Sequence, residues 1–111
     1  MDQNLRDEVA QLHAQLCSGL ADTNRILIIY ALADRSMNVG TIAETLGLSQ
    51  TTTSRHLKIL RDRGIVRAER DGQAVFYTLT DSRIVQALDL LRTVMTEQLG
   101  NRASLVLSQV S

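Results

Sequence analysis

The length, composition and cysteine content of the chain exclude several classes of protein. Its 111 residues, 44% hydrophobic and 22% charged, suit one globular domain and not a disordered chain. No stretch approaches the roughly 18 uninterrupted apolar residues of a membrane span and the N-terminus is polar, so we expect a soluble, cytoplasmic protein. Its single cysteine, Cys17, excludes an internal disulfide and any zinc cluster built on repeated cysteine pairs.

Two apolar helices are predicted at the start of the chain. Apolar residues at three- and four-residue steps predict an amphipathic first helix over residues 3–19. These residues are Leu5, Val9, Leu12, Leu16 and Leu20. Asp22 offers an N-cap for a very apolar second helix, Arg25 to Ala33, which we expect at the centre of the core. Because so short a chain buries a limited core, the stripe of the first helix indicates a partner.

Residues 38–63 are predicted to form a helix-turn-helix. Asn38 can cap a short third helix, and Gly47 supplies the left-handed residue that ends it. Ser49 can cap a fourth helix that runs to about Arg63 and is terminated by Gly64. The inner side of the fourth helix is predicted to consist of Thr53, Leu57 and Leu60. Since only three residues separate the two helices, the turn is tight.

A hairpin and a last helix complete the predicted fold. Residues 65–79 alternate around Asp71-Gly72, which predicts a two-stranded wing. Thr80 or Asp81 can cap a last helix, whose apolar stripe is Ile84, Leu88, Leu91 and Met95. The sequence does not decide whether the tail 101–111 frays or extends that helix. The fold class is therefore mainly α with a small β-hairpin. We predict a single winged helix-turn-helix domain over residues 1–100, with four helices, two strands and a fifth helix in that order.

The formal net charge of zero conceals an uneven distribution along the chain. Between residues 55 and 71 six cations stand against three acids, and the remainder carries six against nine. A basic segment on an acidic body suits a surface that faces phosphates, because only the contacting face has to neutralise the duplex. A solvated charged helix without a partner would give the same pattern, so charge alone leaves both interpretations open.

The outer face of the fourth helix presents donors, acceptors and cations at helical spacing. Short polar side chains at a helix N-terminus can reach the major groove, whose pattern of donors and acceptors is unique to each base pair. The candidates for base contacts are Gln50, Thr51, Ser54 and Arg55. The candidates for phosphate and wing contacts, which fix register, are Thr52, His56, Lys58, Arg61, Arg63, Arg67, Arg70 and Gln73.

Several of these assignments have alternatives that the sequence leaves open. Three hydroxyl residues could serve only in the first turn of the helix: Thr51, Thr52 and Ser54. Arg63 and Arg67 could be plain surface charges, and His56 suits a packed or capping side chain better than a base reader.

A set of motifs between residues 20 and 80 is shared with a known family. They are Leu20-Ala21-Asp22-x-x-Arg25, Leu48-Ser49-Gln50, Ser54-Arg55-His56-Leu57-Lys58-x-Leu60-Arg61, Gly64-Ile65-Val66 and Arg70-Asp71-Gly72-Gln73 with Tyr77. With them, more than half of the chain resembles the core of an ArsR/SmtB winged-helix repressor. Thr23 stands where that family usually has proline, and Thr53 where a β-branched apolar residue is common.

The resemblance implies a homodimeric transcriptional repressor, joined through its first and last helices, that binds an inverted-repeat operator in double-stranded DNA until an effector arrives. The candidate dimer residues are Leu5, Val9, Leu12, Leu16, Leu88, Leu91 and Met95. A winged-helix module that binds a protein instead of DNA is the alternative, and salt dependence of duplex affinity separates the two. An enzyme is not predicted, because the sequence has no Gly-rich phosphate loop, nucleophile elbow or convergent acid-base cluster.

The effector is the least determined part of the prediction. The two metal sites that the resemblance would imply lack their ligands, since Ser36-Met37-Asn38-Val39 has no thiol and residues 92–95 have no His or Glu, so we expect no cofactor and no metal. His13 and Cys17 are four residues apart, and two such pairs at a two-fold axis would form a Cys2His2 site. Cys17 alone could respond to oxidants, persulfides or arsenicals. The alternative is that Cys17 is a small buried thiol at the edge of the apolar seam and that His13 is an ordinary surface histidine.

Overall fold

The computed structural model describes the backbone of residues 1–110 and the side chains of residues 1–100. Its helices are α1, which runs without a break through Gln3–Leu12, His13–Cys17 and Ser18–Leu20, then α2 (Thr23–Ala31), α3 (Val39–Leu46), α4 (Gln50–Asp62) and α5 (Arg83–Val110). The strands β1 (Val66–Asp71) and β2 (Ala74–Leu79) lie between α4 and α5. The chain divides into two units, Met1–Asp81 and Ser82–Ser111, and α5 belongs to the second. Within the described residues, every helix is too short or too polar to cross a bilayer.

Helix α1 contains a π turn, where the sequence predicted an uninterrupted α-helix. Ser18 donates its backbone N–H to the carbonyl of His13, five residues back, whereas an α-helix joins residues four apart. The wider turn spans His13–Cys17, and the helix then continues to Leu20.

The core of the first unit consists of side chains from α2, α3 and α4. Completely buried apolar residues are Ile28, Ile29, Ile42, Leu57 and Leu60. Thr53 is buried among them, and its hydroxyl donates to the Ser49 carbonyl at 2.8 Å, so the polar atom has a partner. The prediction of α2 as the central apolar helix is confirmed.

The caps predicted for the helix-turn-helix are confirmed. Asn38 accepts the backbone N–H of Thr41 at the start of α3, and Ser49 accepts that of Thr52 at the start of α4. Gly47 ends α3 with a φ of 68°, a left-handed conformation that glycine adopts without a side-chain clash. Asp22 caps α2, which therefore begins at Thr23, two residues before the predicted start.

The wing is an antiparallel hairpin whose register runs from Val66 opposite Leu79 to Asp71 opposite Ala74. Gly72, with a φ of 64°, makes the tight turn that Asp71-Gly72 predicted. Met37 adds a bridge that the sequence did not indicate, because it exchanges two backbone hydrogen bonds with Tyr77, at 3.2 and 2.8 Å. The wing is therefore attached to the segment that precedes α3.

The last helix begins later than predicted. The Thr80 hydroxyl donates to the carbonyl of Gly64 at 2.6 Å and to that of Ile65 at 3.1 Å, so Thr80 closes the base of the hairpin and does not cap α5. Helix α5 starts at Arg83, and its backbone includes residues 101–110, whose conformation the sequence left open.

Candidate nucleic-acid interface

Helix α4 has one fully buried face and one uncovered face. Thr53, Leu57 and Leu60 are each 0% exposed, as the sequence predicted for the inner side. The exposed residues on the other side include Gln50, Thr51, Ser54, Arg55, Lys58 and Arg61. All four candidates for base contacts therefore lie on one uncovered surface at the N-terminal end of α4.

The guanidinium of Arg55 lies along this surface toward the start of the helix. Its Nη2 donates to the hydroxyl of Thr52 at 3.3 Å, and Thr52 is itself half-buried while its backbone N–H donates to Ser49. Thr52 therefore orients the arginine, and the remaining guanidinium donors stay exposed for a ligand.

The cations predicted to contact phosphates fall into two groups. Lys58 pairs with Asp62 at 3.1 Å, and Arg67 pairs with Glu69 at 2.7 Å, and the side chains of all four are more than half exposed. Exposed pairs of this kind contribute at most about 1 kcal/mol, so a phosphate can replace the carboxylate. Within residues 1–100, Arg61 and Arg70 are exposed and form no ion pair.

A groove between α4 and β2 brings several donors together. It is lined by Ser54, Leu57, Lys58, Arg61, Asp62 and Tyr77. Gln73 is exposed in the turn at the tip of the wing. The hydroxyl, ammonium and guanidinium donors of the groove suit the non-bridging oxygens of a phosphate.

Two predicted phosphate residues, His56 and Arg63, make contacts inside the first unit. The His56 ring lies with Nδ1 at 3.5 Å from Nη1 of Arg25 and Nε2 at 3.9 Å from Oδ1 of Asp22, and its side chain is 14% exposed. Arg63 is half-buried and donates to the carbonyl of Ala14 in α1. These contacts favour the packed alternative for His56, and a phosphate role for either residue stays a prediction.

The carboxylate of Asp22 is stabilised in its charged form. The backbone N–H groups of Arg25 and Asn24, with the charges of His56 and Arg25, hold the pKa of the Asp22 carboxyl below its ordinary value, although desolvation opposes them. Asp22 therefore stays ionised beside His56 at neutral pH.

The apolar stripe of α1 is uncovered in the chain. Leu5, Val9 and Leu12 are 45%, 51% and 48% exposed, and Leu16 is half-buried. On α5, Leu91 and Met95 are exposed and Leu88 is buried. The predicted stripe missed three more exposed apolar residues of α5: Leu90, Val94 and Leu99.

Cys17 is exposed in the single chain, so its thiol is not buried within one protomer, and burial at the edge of a dimer seam stays a prediction. Gly19 is buried and Leu16 is half-buried, so these two residues and not Cys17 face the rest of the first unit. His13 is exposed on the same turn. Among the described residues no three His, Cys, Asp or Glu side chains come together to hold a metal, so a Cys2His2 site would need a second copy of the chain and stays a prediction.

A helix-turn-helix whose second helix leaves a polar, cationic face uncovered beside a β-hairpin defines a winged-helix transcriptional regulator that binds DNA. Comparison with known proteins identifies the family. Residues 22–68 match the family described as "Bacterial regulatory protein, arsR family". The chain belongs to the ArsR family, and the resemblance found in its sequence is confirmed.

Relatives and solved structures agree with this assignment. Nodulation protein NolR of Rhizobium meliloti is 33% identical over 89 residues, which cover 80% of this chain and 73% of NolR. The biofilm growth-associated repressor of Xylella fastidiosa is 31% identical over 85 residues, which cover 77% of this chain and 75% of the repressor. The solution structure of the homodimeric winged helix-turn-helix DNA-binding domain of Mb0332 from Mycobacterium bovis has a TM-score of 0.75 at 27% identity, covering 89% of this chain and 91% of that one.

Proposed function

We propose that the chain is a homodimeric repressor that binds an inverted-repeat operator and leaves it when an effector binds. The observation that carries the proposal is the contrast between the two faces of α4, one fully buried and one uncovered with base-reading and phosphate-binding side chains. Repression is supported by the named repressor among the relatives, and a homodimer by the Mb0332 domain.

In this proposal the N-terminal part of α4 enters the major groove. Arg55 can form two hydrogen bonds with a guanine, and Gln50 can do the same with an adenine. Lys58 and Arg61, in the groove beside β2, bind the phosphates of one strand, while Arg67 and Arg70 of the wing contact the flanking backbone.

The proposed dimer places two copies of α4 on successive major grooves. A two-fold axis relates the copies, so their half-sites form an inverted repeat with centres on the order of 34 Å apart. The exposed leucines and valine of α1, together with the exposed apolar residues of α5, supply surface that a second copy would cover.

Selection of bound sites from a pool of random duplexes tests the proposal. We expect enrichment of an inverted repeat with half-sites about one helical turn apart, and an affinity that falls steeply with salt because bound cations are released from the DNA. If no sequence is enriched and the duplex affinity is weak at every salt concentration, the result would favour a winged-helix module that binds a protein instead of DNA.

The effector is tested on the selected duplex. Wild-type protein and the Cys17→Ser variant are titrated with zinc, arsenite and oxidised thiols while operator binding is followed. A response that is present in the wild type and lost in the variant supports Cys17 as the sensor, and an identical response in both removes it.

A further inference from the structure

The end of α1 is held by an arginine of α2. Arg25 donates from Nε to the carbonyl of Gly19 at 2.7 Å and from Nη2 to the carbonyl of Ser18 at 3.3 Å. The last carbonyls of a helix lack full partners within the helix, so the guanidinium supplies a donor to the Gly19 carbonyl and a second donor to that of Ser18, which also accepts the backbone N–H of Ala21. Arg25 is therefore a side-chain cap for the C-terminal end of α1.

The same guanidinium contacts the recognition helix α4. Its third nitrogen, Nη1, lies 3.5 Å from Nδ1 of His56, the neighbour of Arg55 in the sequence. The His56 side chain is 14% exposed, so its ring is fixed by the surrounding structure and does not extend into solvent. One side chain thus connects the end of α1 with the middle of α4.

A second set of contacts joins α1 to the C-terminal end of α4. Arg63 donates to the carbonyl of Ala14, and its own carbonyl accepts from Nε2 of Gln15 at 3.5 Å. Gly19 approaches Ile65 so closely that a Cβ at this glycine would lie 2.9 Å from Cδ1 of Ile65. Helix α4 is therefore linked to α1 at its middle, through His56, and just past its C-terminal end, through Arg63.

We propose that Arg25 is a positioning residue for DNA recognition: through His56 it fixes the recognition helix against the end of α1. The inference rests on the proposed function in taking α4 as the helix that reads DNA. Arg25 itself lies outside the uncovered face of α4, and its effect on binding is therefore indirect.

The contact between Arg25 and His56 depends on the protonation of the ring. A neutral imidazole with its proton on Nε2, toward Asp22, can accept a hydrogen bond from Arg25 at Nδ1. Protonation of Nδ1 removes that acceptor and brings two cations together, while the carboxylate of Asp22 attracts the charged ring. Asp22 and Arg25 are the charged groups found against the ring, so a charge on the ring weakens its contact with Arg25 and strengthens its contact with Asp22.

Operator affinity measured against pH tests the proposal, because histidine changes charge between about pH 5 and 8. The probe is the duplex selected by the wild-type protein, and affinity is measured from pH 7.5 to 5.5. We expect the wild-type affinity to fall by about fivefold or more, and the affinity of His56→Gln, which cannot be protonated, to stay level. The matched control is His13→Gln, since the chain has only two histidines and His13 is exposed; its curve should follow the wild type.

Arg25→Gln provides a second test, with Arg6→Gln as a control that removes the same charge from an exposed site on α1. We expect Arg25→Gln to bind the selected duplex more weakly at pH 7.5 and to lose the pH dependence. Arg6→Gln should keep both the affinity and the pH dependence of the wild type. Circular dichroism of each variant shows that it is folded.

Nuclear magnetic resonance of the Arg25 Nε–H proton gives a result that does not involve DNA. We expect its resonance to shift and its exchange with water to quicken as His56 is protonated, and both to stay constant in His56→Gln. If no duplex is selected, the proposed function fails. The resonance titration still tests the contact between Arg25 and His56, because it needs no DNA. A proton unaffected by pH, or a pH slope that His56→Gln retains, would overturn the inference.

Discussion

Arg55 and Lys58 lie on the same uncovered face of α4, but their surroundings give them different roles. Arg55 is oriented by Thr52 near the start of the helix, whereas Lys58 lines the groove beside β2 and pairs with Asp62. We expect Arg55→Ala to weaken operator binding by roughly 1 to 3 kcal/mol and to relax base preference, and Lys58→Ala to weaken all duplexes alike. Competition between operator and random DNA measures both effects; equal losses on the two DNAs for Arg55→Ala would contradict its base-reading role.

Asp22 predicts a pH dependence of stability. A carboxyl whose pKa is lower in the folded protein stabilises the fold above its ordinary pKa of about 4, and this contribution is lost as the pH falls through the lowered value. We expect Asp22→Ala to have a lower urea midpoint than the wild type at pH 7, with the difference shrinking in acid. Asp34→Ala, at an exposed position after α2, is the control and should change neither; a difference that persists in full at the lowest pH would argue against a contribution from the charge of the Asp22 carboxylate.

For single residues, the sequence predicted contacts with neighbours along the chain and missed contacts with residues far away in the sequence. The caps Asn38 and Ser49 were predictable because each interacts with a backbone group three residues away. The surroundings of Cys17 and Arg63 were not, since they depend on how α1 lies against the end of α4. The half-buried position of His56 was indicated only by its place between the two faces of the helix.

Gly47, in the turn between α3 and α4, should be more sensitive to replacement by alanine than a glycine within a helix. Gly47 has a φ of 68° and open space where a Cβ would lie, so Gly47→Ala tests backbone conformation alone and should cost about 1 to 2 kcal/mol. Gly100→Ala is the matched control, because that glycine lies within α5, also with open space, and alanine favours a helix by about 1 kcal/mol. Urea unfolding measures both; destabilisation of similar size at the two positions would contradict the argument.

The order and type of the elements followed from periodicity, but the links between them did not. The apolar steps, the tight turn and the alternation after Gly64 are patterns within short segments, and they predicted the helix-turn-helix and the wing. The bridge between Met37 and Tyr77 joins residues 40 positions apart through backbone atoms, which leave no trace in side-chain patterns. For the same reason the sequence could not show that Thr80 bonds Gly64 and Ile65.

The proposed dimer makes a prediction for the whole molecule. Leu12 is 48% exposed in the single chain, so Leu12→Asp should leave the protomer folded but place unpaired carboxylates in the apolar contact between copies. We expect the dimer to be weakened by on the order of 3 kcal/mol, measured by sedimentation equilibrium. Ala10→Asp, an exposed position of α1 outside the stripe, is the control; equal dissociation by both variants would show that charge and not the stripe is responsible.

The π turn of α1 also affects the direction in which Leu16 and Leu20 point from the helix axis. From Leu12 the stripe advances by two successive steps of four, to Leu16 and Leu20, and each step overruns the 3.6 residues of an α-helical turn. The overrun would rotate the last leucine away from the line of the first, but the underwound segment His13–Cys17 absorbs it. Removing one residue from that segment would leave leucine steps of three and four, which a regular α-helix keeps on one face, so we expect the deletion to abolish the wide turn and to leave the stripe in line.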